Sequence, residues 1–161
     1  MPAGDVIGGR RRVVTLETLN ALIDGRRCDD RGAMERALLA VSWHTHVVAR
    51  ELARLNIENV VVNPGNRIYL VVGNRRYTVP FEESPYSPGY ALFDWLTRTS
   101  HTTGALFHLF RYDDHRRVPP KPRRLTEASI RAFFLSAAKG IGVPLIGWEL
   151  VQVEPGQLAE G

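Results

Sequence analysis

Between residues 31 and 55, hydrophobic side chains form one regular stripe. Its members fall at alternating steps of three and four residues, which is the spacing of one face of an α-helix. The stripe, in which Thr45 is the one polar member, predicts a single helix over residues 31–55 that is capped by Asp29 or Asp30. The apolar positions are Met34, Leu38, Val41, Val48, Leu52 and Leu55.

Three shorter amphipathic segments each follow a serine or a threonine. A hydroxyl at that position can accept a hydrogen bond from the first turn of a helix, so each segment is predicted to begin there. Gly25 and Gly140 stand where two of these helices are expected to end. The predicted helices cover residues 16–24 after Thr15, 88–97 after Ser87, and 127–139 after Thr126.

Runs of β-branched and aromatic residues lie between these helical segments and are typical of strands. The pair Gly73-Asn74 separates two such runs and is a two-residue hairpin signal, so three runs predict an antiparallel meander. Pro80 lacks a backbone N–H, which indicates that the third strand ends there or lies at an edge. The predicted strands cover residues 59–62, 67–72 and 75–81, and later ones 104–112 and 144–153.

The order of these elements favours an α+β fold. N-terminal helices precede the three-stranded meander, and a helix-strand-helix-strand stretch is expected to complete a mixed sheet with packed helices. No shift in composition divides the chain, so residues 13–153 are predicted to form a single domain. Residues 1–12 are expected to be a flexible basic arm, and residues 154–161 a disordered tail.

The composition excludes several classes of protein. Cys28 is the only cysteine, which excludes an internal disulfide framework and a cysteine-based zinc ribbon. No apolar run approaches the roughly 18–20 residues of a membrane span, and no secretory signal is visible. We therefore expect a cytoplasmic protein with no membrane partner.

The positive charge of the chain is concentrated in clusters. Its 161 residues include 21 Lys+Arg and 17 Asp+Glu, a formal net charge of +4, and nearly all the basic residues are arginine. A guanidinium group can donate two parallel hydrogen bonds to a phosphate, so arginine clusters in loops and turns predict nucleic-acid binding. Tyr77, Tyr86 and Tyr112 lie near the clusters and can stack on bases. The predicted contact residues are Arg10, Arg11, Arg12, Arg75, Arg76, Arg111, Arg116, Arg117, Lys121, Arg123 and Arg124.

Three alternatives remain open at this stage. The clusters can be an ordinary solvated surface with an arginine bias. Tyr86, Tyr90 and Trp95 can instead form the contact surface of an assembly subunit, with a protein partner or as a homo-oligomer. The third alternative is a metal-assisted hydrolase, because carboxylates and an imidazole in one loop can bind a metal or activate water. Its residues are Asp113, Asp114 and His115.

No other catalytic motif is complete, so we favour a non-catalytic domain with no resident metal and no cofactor. The chain lacks the Gly-x-Ser-x-Gly nucleophile elbow and the Gly-x-x-x-x-Gly-Lys phosphate loop. His44 and His46 lie two residues apart on the predicted helix, where their side chains point about 200° apart and cannot chelate one ion. We expect one of them to lie near the helix flank and the other to be exposed. His108 is predicted to be a core or interface histidine.

Residues from about 33 to 153 resemble the JAB/MPN family, including its RadC-like bacterial branch. The resemblance rests on the order of elements and on residues 125–151, where a helix leads through a glycine-isoleucine pair into a strand. The zinc motif of that family is His-x-His followed by Ser-x-x-Asp. Here His108 supplies one histidine, and Thr126 and Ser129 stand at the later positions. The resemblance therefore implies a pseudoenzyme that has lost its metal ligands.

Overall fold

The structure of the chain is a computed structural model, which confirms the α+β class. It describes residues 6–7, 10–11, 15–65, 67–99, 101–110 and 123–140. Within these ranges, five helices pack with a three-stranded antiparallel sheet. The strand predicted at 144–153 and the predicted tail at 154–161 lie outside the described residues.

The three-stranded meander lies between N-terminal and C-terminal helices, as predicted, and the bounds of the elements define the labels used below. The helices are α1 (Leu16–Asp24), α2 (Asp30–Thr45), α3 (Ala49–Arg54), α4 (Pro88–Arg98) and α5 (Glu127–Gly140), with a short 3₁₀ helix at Ile57–Asn59. Strands β3 (Val60–Asn63), β4 (Arg67–Val72) and β5 (Arg75–Val79) form the sheet in that order. Within the predicted arm, β1 (Val6–Ile7) pairs antiparallel with β2 (Arg10–Arg11).

The predicted helix starts are confirmed by their capping hydrogen bonds. Thr15, Ser87 and Thr126 each accept a hydrogen bond from the backbone N–H three residues later, at 3.1, 3.5 and 3.1 Å. Asp29 caps α2 in the same way, because one of its carboxylate oxygens accepts the N–H of Gly32 at 2.8 Å. Each cap satisfies a backbone donor that has no partner within the helix.

The single helix predicted over residues 31–55 is wrong, because the chain forms the separate helices α2 and α3 there. The hydroxyl of Thr45 donates to the carbonyl oxygen of Val41 at 2.6 Å. His46 then adopts a left-handed conformation with φ 62°, which ends the helix. The apolar stripe continues past this break because later members such as Leu52 return to the same core.

His44 and His46 are both half-buried, so the expectation that one of them is exposed is wrong. The ring of His44 lies 4.8 Å from the ring of Trp43 in an edge-on contact. Burial is the main cause that lowers the pKa of His44, and the nearby charge of His46 lowers it further. These histidines therefore belong to the packed end of α2.

The meander confirms the predicted hairpin. Gly73 has φ 60°, which a tight two-residue turn requires, and Val72 pairs directly with Arg75 across it. The pairing continues in register along both strands as far as Val79, and β5 ends before Pro80 as predicted. The position of the two-residue turn therefore sets which residues of β4 and β5 pair.

The stretch predicted as a strand at 104–112 instead forms two isolated bridges, as far as residue 110 is described. The segment pairs with one part of the chain near its start and with another near its end, so it forms no continuous ladder with either. Residues 105–108 are still buried, and the indole N–H of Trp95 donates to the carbonyl oxygen of Leu106 at 2.8 Å. The bridges join Ala105 to Asn56 and His108 to Arg124.

Helix α2 lies at the centre of the core. It packs against α1, α3, α4 and β5, and 11 of its 16 residues are buried. The largest fully buried side chains around it are Trp43, Trp95, Phe107 and Phe134. Among the described residues, no helix combines the length and the apolar character that crossing a bilayer requires.

Replacing Gly32 should destabilise the fold. A β-carbon at Gly32 would lie 1.8 Å from the carbonyl oxygen of Arg27, so the connector before α2 has to move. We expect Gly32→Ala to lower the free energy of unfolding by about 1–3 kcal/mol, measured by urea titration.

Gly25→Ala is the matched control for this substitution. A β-carbon there would meet carbonyl oxygens at 3.5 and 3.6 Å, which is ordinary contact. We expect its effect to stay below about 0.5 kcal/mol. Equal losses in the two variants would show that contact with Arg27 does not set the requirement for glycine.

Candidate functional site

Helix α3 carries two arginines of the candidate site. Arg50 and Arg54 are exposed and stand one helical turn apart, so they share one face of the helix. Its other side is buried in the core through Ala49, Leu52 and Ala53. The core therefore fixes the helix while both guanidinium groups stay accessible.

The β4–β5 hairpin brings a third arginine to this helix. Arg75 lines a cleft of about 550 Å³ together with Arg54 and Glu51. Its Nη1 donates to the hydroxyl oxygen of Tyr77 at 3.5 Å. This hydrogen bond is the main cause that raises the pKa of Arg75, and the negative charge of Glu51 also raises it. Arg75 therefore stays fully charged in the cleft.

Arg124 reaches the end of α3 from the segment that precedes α5. Its Nη1 donates to the carbonyl oxygens of Ala53 at 3.0 Å and Leu55 at 2.9 Å, and its Nη2 donates to the side-chain oxygen of Asn56. The last carbonyls of a helix lack partners within it, so this guanidinium stabilises the helix end. It also places a positive charge beside Arg54. We call Arg50, Arg54, Arg75 and Arg124 the arginine surface.

Arg76 lies on the opposite face of the sheet from Arg75. Its guanidinium carbon is 3.8 Å from the ring centroid of Tyr69, which is a cation–π contact. Val71 pairs with Arg76 and Tyr69 with Thr78, so Arg76 and Tyr69 are diagonal neighbours on one face. This pair is not part of the arginine surface.

Several other predicted contact residues lie outside the described residues. Arg10 and Arg11 are described only as the backbone of β2. Arg123 is exposed, and its carbonyl oxygen accepts the N–H of Leu109 at 2.8 Å. The predicted residues outside the description are Arg12, Arg111, Arg116, Arg117 and Lys121.

The structure thus places Arg75, from the predicted set, in one cleft with Arg54, and Arg124, also predicted, at the end of the helix that carries Arg50 and Arg54. Isolated arginines on a helix are usually solvated, so these two are not among the predicted contact residues. Their four-residue spacing on the polar side of the apolar stripe was the available signal. The proximity of Arg54 to Arg75 depends on how α3 and the hairpin pack.

Carboxylates distinguish this surface from six other arginines of the described residues. Six arginines there lie within 4.0 Å of a carboxylate oxygen. No ion pair joins the arginine surface to a carboxylate of the same described ranges. Glu51 lines the same cleft and its charge acts on Arg75, so the positive charge is partly compensated there without a direct ion pair. The six ion-paired arginines are Arg26 and Arg31 with Glu35, Arg27 with Asp29, Arg36 with Asp94, Arg98 with Asp30 and Asp94, and Arg131 with Glu127.

The predicted metal loop of Asp113, Asp114 and His115 lies outside the described residues. In the parts of the chain that are described, no three His, Cys, Asp or Glu side chains come together as a metal site. Cys28 is exposed and free. The hydrolase alternative therefore stays a prediction.

The aromatic residues proposed for a contact surface have different environments. Trp95 is 1% exposed, so its assignment to that surface is wrong. The hydroxyl of Tyr86 donates to a carboxylate oxygen of Asp24 at 2.8 Å. Tyr90 is exposed and lines an apolar cleft of about 580 Å³ with Phe93. Of the three aromatic residues, only Tyr90 has the exposure that the assembly alternative needs.

The residues compared with the JAB/MPN zinc motif have structural roles here. The Thr126 hydroxyl lies 2.9 Å from that of Ser129 and caps α5. His108 is buried, as predicted, with its ring centroid 5.3 Å from that of Trp95 and its Nδ1 3.1 Å from the carbonyl oxygen of Leu109. Each of these side chains therefore has a structural role, either in capping a helix or in packing.

Two comparisons with known proteins bear on the family of this chain. The chain fits no protein-family model, and no curated protein matches it significantly in sequence. The JAB/MPN resemblance therefore stays a prediction.

Arg124 should contribute to stability as well as to charge. Arg124→Gln removes the charged donor from the carbonyl oxygens of Ala53 and Leu55. We expect the free energy of unfolding to fall by about 1–2 kcal/mol in urea titrations, because a charged hydrogen-bond donor is lost.

Arg123→Gln is the control, since it removes the same charge one residue away. No hydrogen bond of the described residues uses the Arg123 side chain, and we expect a change below about 0.5 kcal/mol. Similar losses in both variants would mean that Arg124 acts through charge alone.

Proposed function

We propose that this chain is a non-catalytic nucleic-acid-binding domain whose arginine surface contacts the phosphate backbone. The observation that carries this proposal is the convergence of Arg54 and Arg75 in one cleft beside Arg124. No carboxylate of the described residues forms an ion pair with them. Arginine forks match the geometry of phosphate oxygens, so such a convergence suits a polyanion.

The arrangement favours contacts with the phosphate backbone over base stacking and base-specific contacts. Base stacking needs an accessible aromatic face beside the cations. Tyr77 is half-buried, and its hydroxyl accepts a hydrogen bond from Arg75. Tyr69 lies beneath Arg76 on the other face of the sheet. We therefore expect binding with little sequence preference, because phosphate contacts carry no sequence information.

Binding through this surface should depend strongly on salt. Each neutralised phosphate of a single strand contributes about 0.7 to the slope of log affinity against log salt. Four arginine contacts therefore give a slope of about −3. The measurement is fluorescence anisotropy of a labelled oligothymidylate titrated with the protein at several salt concentrations.

Removing Arg54 and Arg75 should weaken this binding and flatten its salt dependence. We expect the double variant Arg54→Gln, Arg75→Gln to reduce the slope by about 1.4, which corresponds to two phosphate contacts. Urea titration of the double variant shows whether it is folded. Both side chains lie at a surface cleft, so we expect its stability to change by less than about 1 kcal/mol.

The matched control is Arg27→Gln. It removes one positive charge at an exposed arginine that is ion-paired with Asp29 at 2.9 Å. We expect it to leave the salt slope unchanged. The proposal fails if the wild-type protein shows no salt-sensitive binding, or if Arg27→Gln lowers the slope as much per charge as the double variant.

A further inference from the structure

A third cleft, of about 480 Å³, lies between α2 and α5 and is separate from the arginine surface. Arg26, Arg31 and Glu35 contribute its charged groups. Phe110 and Phe133 contribute aromatic side chains, and Leu38 and Leu125 are among its apolar residues. Its volume falls within the range of about 300–1,000 Å³ that is common for small-molecule sites.

The charged end of this cleft is held in place by several contacts. Arg26 and Glu35 have side chains only 17% and 15% exposed. The Nε of Arg26 donates to the carbonyl oxygen of Leu22 at 3.1 Å, and its guanidinium carbon lies 5.5 Å from the ring centroid of Phe133. A guanidinium fixed in this way loses little further freedom when a ligand binds.

Two guanidinium groups share one carboxylate here. The nearest nitrogen–oxygen distances are 3.7 Å from Arg26 to Glu35 and 3.6 Å from Arg31 to Glu35. These distances exceed those of good hydrogen bonds, so the terminal N–H groups of both arginines keep donor capacity. Burial is the main cause that raises the pKa of Glu35, and the charges of Arg26 and Arg31 oppose it. With Glu35 ionised, the three groups carry a net charge of +1.

The rest of the lining offers apolar contact and two hydroxyl groups. Ser129 and Ser136 line the cleft from α5, and they lie seven residues apart, which places them on one face of that helix. Ala132 lies between them and also lines the cleft. A small residue there leaves room for a ligand above the helix.

We propose that the cleft between α2 and α5 binds a small monocarboxylic acid with an apolar body. The carboxylate would bind the N–H groups of Arg26 and Arg31, and the apolar body would pack on Phe110 and Phe133. One negative charge matches the net charge of the arginine–glutamate group. Neither Arg54 nor Arg75 lines this cleft, so the inference does not depend on the proposed nucleic-acid binding.

The test compares three probes in an amide-resolved NMR titration of the full chain. Hydrocinnamate has both the carboxylate and the apolar body, its amide lacks the charge, and propionate lacks the ring. We expect saturable shifts at residues of α2 and α5 with hydrocinnamate. The amide and propionate should each bind at least about tenfold more weakly, since a charged hydrogen bond or a buried ring is lost.

Two substitutions in the cleft should change the affinity for hydrocinnamate in opposite directions. Arg31→Gln should weaken hydrocinnamate binding about tenfold, whereas Glu35→Gln should strengthen it because the net charge of the site increases. Ala132→Leu should abolish binding by filling the cleft from an exposed helix position. Arg27→Gln is the control, because Arg27 does not line the cleft and is ion-paired with Asp29, so this variant should weaken binding much less than Arg31→Gln.

The proposal is overturned if hydrocinnamate and its amide bind equally, since the cleft would then recognise only the apolar body. It is also overturned if Arg31→Gln and Arg27→Gln weaken binding equally, or if Glu35→Gln weakens it. Urea titration of each variant identifies any loss that comes from unfolding. Absence of saturable shifts with a folded wild-type protein rejects the site.

Discussion

Burial of α2 is the constraint on which the rest of this structure depends. Its small residues, among them Ala33, Ala37 and Ala40, allow neighbouring elements to approach closely, and α1, α3, α4 and β5 all pack against it. The chain leaves this buried helix through the left-handed residue His46. The following helix can then combine an apolar side in the core with arginines at the surface.

Local interactions made much of the fold predictable. The caps at Thr15, Ser87 and Thr126 involve residues three positions apart, and the hairpin at Gly73 involves adjacent ones. The break at His46 was not predictable in the same way. An apolar stripe reports which residues are buried, and burial continues across the break because both helices contribute to one core.

The candidate site was only partly predictable, because clustering in sequence differs from clustering in space. The adjacent residues Arg26 and Arg27 form ion pairs with Glu35 and Asp29, respectively. Arg54, which has no arginine beside it in the sequence, shares a cleft with Arg75. That proximity depends on long-range packing, which the spacing of arginines along the chain does not encode.

The alternation of side chains along β5 has an electrostatic consequence. Arg75 and Arg76 are adjacent in sequence, yet one faces the α3 cleft and the other lies over Tyr69 on the reverse face. An arginine pair in a loop can concentrate its charge on one ligand group, whereas this pair divides its charge between two sides of a sheet. In the described sheet β5 is an edge strand. A flexible polyanion that crosses this edge would meet one guanidinium on each side.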